Sequence, residues 1–351
     1  MRPFAFVALA IGSGLASTAL QTPQQAAQQG VVFVEVTVLD ATGSAISALT
    51  RDDFELLVDG RARPIEYVAP DDSPVLVVLL LDVSASCWIQ PGDLKPAIEK
   101  HFWDGLGPSD RLRLGLVGAG PVVLSPSFGG ERVALRSMLH LLDLQPTYTV
   151  RDKLVPTTSS VVPQMGVRER KATGARMGPS PIWDAVYDAA SALEHEPGRR
   201  VVILLTDGRA TGNVHGLDET IVHALAAGVP IHVVSEAEDV IIPIDASNAA
   251  RVRPDVFLKG MADQTGGSYA SVLDALAASG AKGIPSGEKI SEQVGVLLSR
   301  ALQQAHRTYA LGFTAPTLDN RLHRLEVRVR RLGLTVRAPA DFVARRAAPF
   351  R

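Results

Sequence analysis

Apolar and polar positions alternate over residues 31–39 (VVFVEVTVL), with Val32, Val34, Val36 and Val38 on one face and Glu35 and Thr37 on the other. This is the two-residue period of a strand with one side buried. A turn at 40–43, a strand at 54–58, a hairpin turn at Asp59-Gly60 and a return strand at 64–68 are predicted next, so the first segment reads as all β. At Val75 the alternation stops, and VLVVLLL runs without a polar residue, as strands buried on both faces do. Helical periods then alternate with apolar strands. Helices are predicted over 93–106, 131–142, 181–193, 217–226, 255–262 and 290–304, and strands over 112–117, 201–205, 231–234 and 269–272. Such alternation predicts an α/β unit, a doubly wound and mostly parallel sheet flanked by helices. From residue 308 strands return, at 309–313, 325–329 and 332–336. Neither end of the chain has enough strands for a two-sheet core of its own. The N- and C-terminal strands are therefore expected to pair in one small β-sandwich into which the α/β unit is inserted.

The expected division is 1–19 signal peptide, 20–30 flexible linker, 31–72 and 305–343 sandwich strands, 73–304 α/β domain and 344–351 basic tail. The first residues carry the marks of an export signal. Arg2 precedes an apolar run from Phe4 to Ile11, and Ser17-Thr18-Ala19 places small residues where cleavage after Ala19 needs them. The apolar run is too short for the ~20 residues that span a bilayer. With no other long apolar stretch, the mature chain is expected to be exported, periplasmic or extracellular, and without a transmembrane segment. Residues 21–30 (QTPQQAAQQG) are a polar, Gln-rich lead-in.

Composition narrows the classes. The 351 residues are 46% hydrophobic and 21% charged, which supplies apolar material for a large core and excludes disorder as the main state. A formal net charge of -2 gives no global field toward nucleic acid, so none is expected as a partner. Cys87 is the only cysteine, so no intramolecular disulfide forms and stability rests on packing. Residues 321–351 are rich in arginine. That excess reads either as outward charges on edge strands or as a contact for an acidic surface.

The candidate chemistry sits at strand ends. The first buried strand runs into Asp82-Val83-Ser84-Ala85-Ser86, the strand at 201–205 into Thr206-Asp207-Gly208, and Ser180 immediately precedes a helix. In open α/β sheets ligands bind beyond the carboxyl ends of strands. Asp82, Ser84, Ser86, Ser180 and Asp207 thus bring two carboxylates and three hydroxyls to one edge. Such hard oxygens suit Mg²⁺, Mn²⁺ or Ca²⁺ better than zinc. Each serine alone reads equally as a helix cap.

These residues resemble the metal-ion-dependent adhesion site of von Willebrand factor type A domains, whose sheet is Rossmann-like, with Ser180 standing where the pattern usually has Thr. The wider chain, over roughly residues 31–343, resembles the exported acidobacterial von Willebrand factor A-related group. It does so through Asp52-Asp53-Phe54 and Val58-Asp59-Gly60 ahead of the α/β unit and Tyr309-Ala310-Leu311-Gly312-Phe313 behind it. The resemblance implies that Ser84, Ser86 and Ser180 hold the metal directly and that Asp82 and Asp207 act through water. It also implies a protein partner presenting Asp or Glu. The Cys87-Trp88 pair departs from the pattern. Trp88 reads either as an aromatic contact flanking the site or as packing, and Cys87 as an inert buried thiol or one open to oxidation. Residues 147–177 read as a long loop beside the site, serving binding or left without order.

Enzymatic readings fail on particular residues. A phosphoryl-accepting Asp82 would want an acid two residues on, and Ser84 is there. No Gly-x-Ser-x-Gly elbow occurs, GLVGAG at 115–120 lacks the third glycine and following helix of a dinucleotide fingerprint, and no histidine pair has zinc spacing. The chain is expected to be a binding module rather than an enzyme. The alternative is a structural cell-envelope protein with a vestigial metal site.

Overall fold

The computed structural model describes residues 31–46, 48–71, 73–118, 120–125, 128–129, 132–143, 154–155, 167–168, 179–237, 240–243, 249–252, 254–280 and 287–344. The expected signal peptide and linker lie outside the described residues, as does the tail beyond Ala344. Of the loop at 147–177, only β8 (Leu154–Val155) and β9 (Val167–Arg168) are described, paired antiparallel. No helix among the described residues is long and apolar enough to cross a membrane.

The sandwich joins the two ends of the chain. From the N-terminal side come β1 (Val31–Leu39), β2 (Phe54–Val58), β3 (Arg61–Arg63) and β4 (Tyr67–Asp71). The C-terminal side supplies β15 (Thr308–Thr314), β16 (Leu322–Val329), β17 (Thr335–Arg337) and β18 (Asp341–Val343). One four-stranded sheet has the order β17-β1-β15-β4 and the other β18-β16-β2-β3. Each sheet therefore needs strands from both ends, as expected for a sandwich carrying an insertion. Val34, Val36 and Val38 of β1 are buried with Leu56 and Val58 of β2, Tyr309, Leu311 and Phe313 of β15 and Leu325 of β16. The Tyr309 hydroxyl, deep in this core, accepts a hydrogen bond from the Leu49 amide at 2.9 Å, so its polar tip is satisfied.

Two sequence expectations need correction. The return strand of the first hairpin is β3, because Asp59 and Gly60 both take positive φ and close a tight two-residue turn. The residues expected as that return instead contribute β4, which crosses to the other sheet. The arginines of β16 are not on an edge, since β16 lies between β18 and β2. Arg328 pairs with Glu326 at 2.7 Å, and Arg331, just past the strand, pairs with Asp53 at 2.7 Å.

Between β4 and β15 lies the α/β unit. Its strands are β5 (Val75–Asp82), β6 (Arg111–Gly118), β7 (Gly120–Leu124), β10 (Arg199–Thr206), β11 (Ile231–Ser235) and β14 (Tyr269–Ser271), in the order β14-β11-β10-β5-β6-β7. All neighbours are parallel except the β6–β7 pair at one edge. The helices are α1 (Pro91–Ala97), α2 (Arg132–Asp143), α3 (Ile182–Glu194), α4 (Leu217–Ala227), α5 (Pro254–Thr265), α6 (Val272–Ala278) and α7 (Gly287–His306). β5 shows why the uninterrupted apolar run was needed. Val75, Val77, Leu79 and Leu81 enter a core shared with α1 and α7, while Leu76, Val78 and Leu80 enter a second core shared with α3, α4 and α5. Past α1, which contains Pro96, the helix widens into a π-type turn over Ile98–Phe102 and then tightens at Trp103–Gly105. A proline inside a helix removes a donor and disturbs the regular ladder. Two elements went unforeseen: the hairpin of β12 (Val240–Pro243) with β13 (Ala249–Val252), and α6, which begins at Val272 where a strand was expected to continue.

The sheet order places the site. β5 connects onward to β6 on one side, whereas β10 connects onward to β11 on the other. The crevice beyond the carboxyl ends of β5 and β10 is therefore the switch point at which open α/β sheets bind ligands.

Candidate metal centre

Parallel register sets Leu81 of β5 opposite Leu205 of β10. One residue further, Asp82 and Thr206 meet, and the Thr206 hydroxyl donates to Asp82 Oδ2 at 2.6 Å. The Ser84 amide donates to Asp82 Oδ1 at 3.0 Å, and the Ser180 hydroxyl reaches the same oxygen at 3.5 Å. Ser84 Oγ and Ser86 Oγ lie 3.0 Å apart. Asp207 follows directly on Thr206, and its Oδ1 accepts from the Arg209 amide at 2.9 Å. Positive φ at Gly208 turns the chain here. A β-carbon at that position would meet Leu258 and Pro254 at 2.9 Å, so glycine is required on both counts.

All five residues singled out in the sequence thus converge on one buried pocket of oxygens: Asp82, Ser84, Ser86, Ser180 and Asp207 are each buried. The helix-cap explanation of the serines does not describe them. The residue capping α1 is Gln90, and α3 begins after Pro181 with no side-chain cap from Ser180. The first amide of α3 beyond its start, that of Trp183, instead donates to Asn213 Oδ1 at 2.8 Å. Ser180 is clipped in place by its backbone, with its amide donating to Thr211 Oγ1 at 3.0 Å and its carbonyl accepting from the Thr211 amide at 2.9 Å. This clip leaves its hydroxyl facing Asp82.

A third carboxylate was missed. Glu236 follows the last residue of β11 and is fully buried. Its Oε2 accepts from the amides of Trp88 and Ile89, both at 2.9 Å, and its carbonyl accepts from the Trp88 indole at 2.9 Å. Trp88 is therefore held in the core and is not an open aromatic contact beside the site. The sequence signal for Glu236 was an acid at the carboxyl end of the strand next to β10. The signal for Thr206 was a hydroxyl in register with Asp82.

The electrostatics follow from burial. Desolvation, with the charge of Asp207 adding to it, pushes the Asp82 carboxyl up to about 6. Desolvation again leads for Glu236, pushed up to about 8, with Asp207 and Asp82 contributing. Buried carboxylates this close disfavour one another's ionised forms. Burial, reinforced by the same three acids, also holds the Cys87 thiol well above its ordinary range. A thiol kept protonated is neither a good soft ligand nor readily oxidised. Among the described residues, the Arg209 guanidinium brings a cation to the site, its Nε 3.5 Å from Asp207 Oδ2.

One oxygen tests whether a cation suits this pocket. Asp207 Oδ2 is buried without a hydrogen-bond donor among the described residues, its nearest charge being Arg209 Nε at 3.5 Å. A buried carboxylate oxygen left unpaired is costly, and a hard divalent cation is a partner chemically matched to it. Ligand atoms of Asp82, Asp207 and Cys87 also lie within 4.8 Å of one another. The donor set fits a hard ion.

No protein-family model matches the chain, and no curated protein matches it. Solved structures similar to it include a von Willebrand factor type A protein from Catenulispora acidiphila, 10% identical, covering 90% of this chain and 73% of that one, with a TM-score of 0.42. An aerotolerance-related membrane protein from Bacteroides fragilis is 16% identical, covering 64% of this chain and 98% of its own, with a TM-score of 0.38. The manganese-loaded TRAP protein of Plasmodium vivax is 13% identical, covering 78% of this chain and 96% of its own, with a TM-score of 0.33. Its sheet order and flanking helices give the central unit an open, doubly wound α/β fold, with the acid-and-hydroxyl cluster at its switch point.

Proposed function

We propose that the chain is an exported protein-binding module that takes up a divalent cation at the switch point and uses it to hold an acidic group of a partner. The observation that carries this reading is Asp207 Oδ2, buried beside Asp82 with no hydrogen-bond donor among the described residues. In this reading the hydroxyls of Ser84, Ser86 and Ser180 face the ion, and Asp82 and Asp207 act through water. A bound Mg²⁺, Mn²⁺ or Ca²⁺ would supply a Lewis-acidic position for a partner's Asp or Glu oxygen. The chain's own part is positional. Thr206 and the Ser84 amide hold Asp82, the Thr211 clip holds Ser180, and Glu236 ties the loop after Ser86 to β11. Export rests on the pattern of residues 1–19.

A second reading, a structural envelope protein whose site no longer takes metal, draws support from Arg209. Its guanidinium stands 3.5 Å from Asp207 and supplies charge where a cation would. Calorimetric titration of Mg²⁺, Mn²⁺ and Ca²⁺ into the chelator-treated chain from residue 20 onward separates the two. Saturable one-site binding that is lost in Asp207→Ala is expected. If none of the three ions binds, the site is vestigial.

A further inference from the structure

Far from the switch point, the turn that follows β1 faces the outer side of α7. Between them is an open cavity of about 510 Å³, lined by Thr42, Gly43 and Ser44 from the sandwich and by Lys100, His101, Arg300 and Arg307 from the α/β unit. None of its lining residues is an acid. Arg300 lies on α7, and Arg307 directly follows its last residue, His306. The Arg300 guanidinium donates to the Thr42 and Gly43 carbonyls, both at 3.3 Å. Those neutral acceptors fix its position but leave its charge uncompensated. Lys100 and Arg307 have no acidic partner among the described residues. Behind the wall, Arg337 donates to Gln304 Oε1 at 2.9 Å. Burial lowers the pKa of Arg337, and the positive charge of Arg300 adds to that lowering against the opposing pull of Asp263.

We propose that this cavity binds a multiply charged phosphate ligand of the pyrophosphate or bisphosphate class. Two arginines, one on α7 and one just past its end, line the same cavity as a lysine and match a ligand carrying more than one anionic group. The planar guanidinium fork is suited to phosphate oxygens. Ser44 and Ser299 add neutral hydroxyls around the same space, whereas the Thr42 hydroxyl is already given to Asp40 Oδ1 at 2.6 Å. Because the lining comes from both the sandwich turn and α7, a bound ligand bridges the two parts of the molecule.

The test is calorimetric titration of sodium pyrophosphate into the full mature chain in chelator-containing buffer with no divalent ion, so that the switch-point site plays no part. Expected is saturable one-to-one binding that weakens with salt. The exposed Arg307→Gln should reduce it at least ~10-fold, the equivalent of about 1.4 kcal/mol, and Arg300→Gln/Arg307→Gln should abolish it. Asp207→Ala should leave it unchanged. Unfolding midpoints confirm that each variant is folded, and Arg307→Gln, an exposed side chain with no side-chain partner among the described residues, guards against a folding artefact. Vesicles of phosphatidylcholine with and without cardiolipin distinguish the source. Flotation only with cardiolipin, lost in the double variant, assigns a lipid bisphosphate headgroup, and no flotation assigns a free ligand. Failure of pyrophosphate to bind, or equal binding by the double variant, overturns the proposal.

Discussion

Asp82 organises the switch-point cluster, because Thr206, Ser180 and the Ser84 amide all turn toward its carboxylate. The shortest of these contacts, from Thr206, is buried. Thr206→Val keeps the shape and removes the donor. It is expected to destabilise the metal-free protein by about 1–3 kcal/mol, measured by urea unfolding, and an unchanged midpoint would show that Asp82 does not depend on it. A second residue, His232, sets an acid limit. Its ring bonds Ser268 Oγ at 2.7 Å, and burial, with Arg337 and Arg199 facing it, drives its pKa down to about 3. The group is neutral in the fold but takes a proton when unfolded below its usual 6.5. Stability from this residue is present above pH ~6.5 and falls by up to ~1.4 kcal/mol per pH unit between there and about pH 3. His232→Gln should flatten that slope in unfolding curves taken at several pH values. At this scale the sequence was legible wherever a residue type had one good reason to sit at a strand end, as Asp82, Ser84, Ser86 and Asp207 do. Glu236 and Thr206 were not legible as part of the site, because their meaning depends on which strands lie side by side.

Elements were read well where periodicity was strong and poorly where a tight turn decided the path. β1 and β5 announced themselves by alternation and by its absence. The return of the first hairpin was misplaced because three exposed or half-buried residues, Arg61–Arg63, carry no apolar pattern, and only their ladder with β2 makes them a strand. The continuation of 269–272 as strand failed because Ser271 caps α6, accepting from the Asp274 amide. Close approach between elements yields a paired prediction. A β-carbon on Gly267, between α5 and β14, would lie 1.9 Å from the Ile231 carbonyl oxygen of β11, a backbone atom that cannot swing away. On α5 itself, a β-carbon on Gly260 would meet nothing closer than Gln264 at 3.9 Å. Gly260→Ala is expected to stabilise by about 0.5–1 kcal/mol, through helix propensity and a less mobile unfolded chain. Gly267→Ala should cost more than the usual 1–3 kcal/mol of overpacking. Thermal unfolding of the two variants side by side checks the contrast.

On the scale of the whole molecule, the chain crosses twice between the sandwich and the α/β unit, and a buried cation stands at those crossings. Arg199, at the start of β10, is almost fully buried, and its Nη1 donates to the Asp71 carbonyl at 2.8 Å and to the His306 carbonyl at 3.4 Å. Its Nε lies 3.8 Å from Glu35 on β1 and 3.7 Å from Asp71 on β4. One guanidinium thus answers both crossings and two sandwich carboxylates. Arg199→Ala leaves those half-buried carboxylates without their counter-charge and the Asp71 carbonyl without its donor, a loss of about 1–3 kcal/mol. Glu35 makes the size of that loss depend on pH. Desolvation raises its carboxyl to about 7 even though Arg199 pulls the other way. For an acid whose folded pKa is raised, the folded state holds the proton more tightly, so stability is lost as pH rises from about 4.5 to about 7. At pH 5 Glu35 is protonated and asks little of Arg199, whereas at pH 8 it is ionised and needs it. Differential scanning calorimetry should therefore show Arg199→Ala more destabilised, relative to the unaltered chain, at pH 8 than at pH 5. In the double variant Glu35→Gln/Arg199→Ala that difference should shrink. If the penalty of Arg199→Ala is the same at both pH values, Arg199 acts through its bonds to the Asp71 and His306 carbonyls alone. The joint between sandwich and α/β unit is then a hydrogen-bonded clasp and not a charge pair.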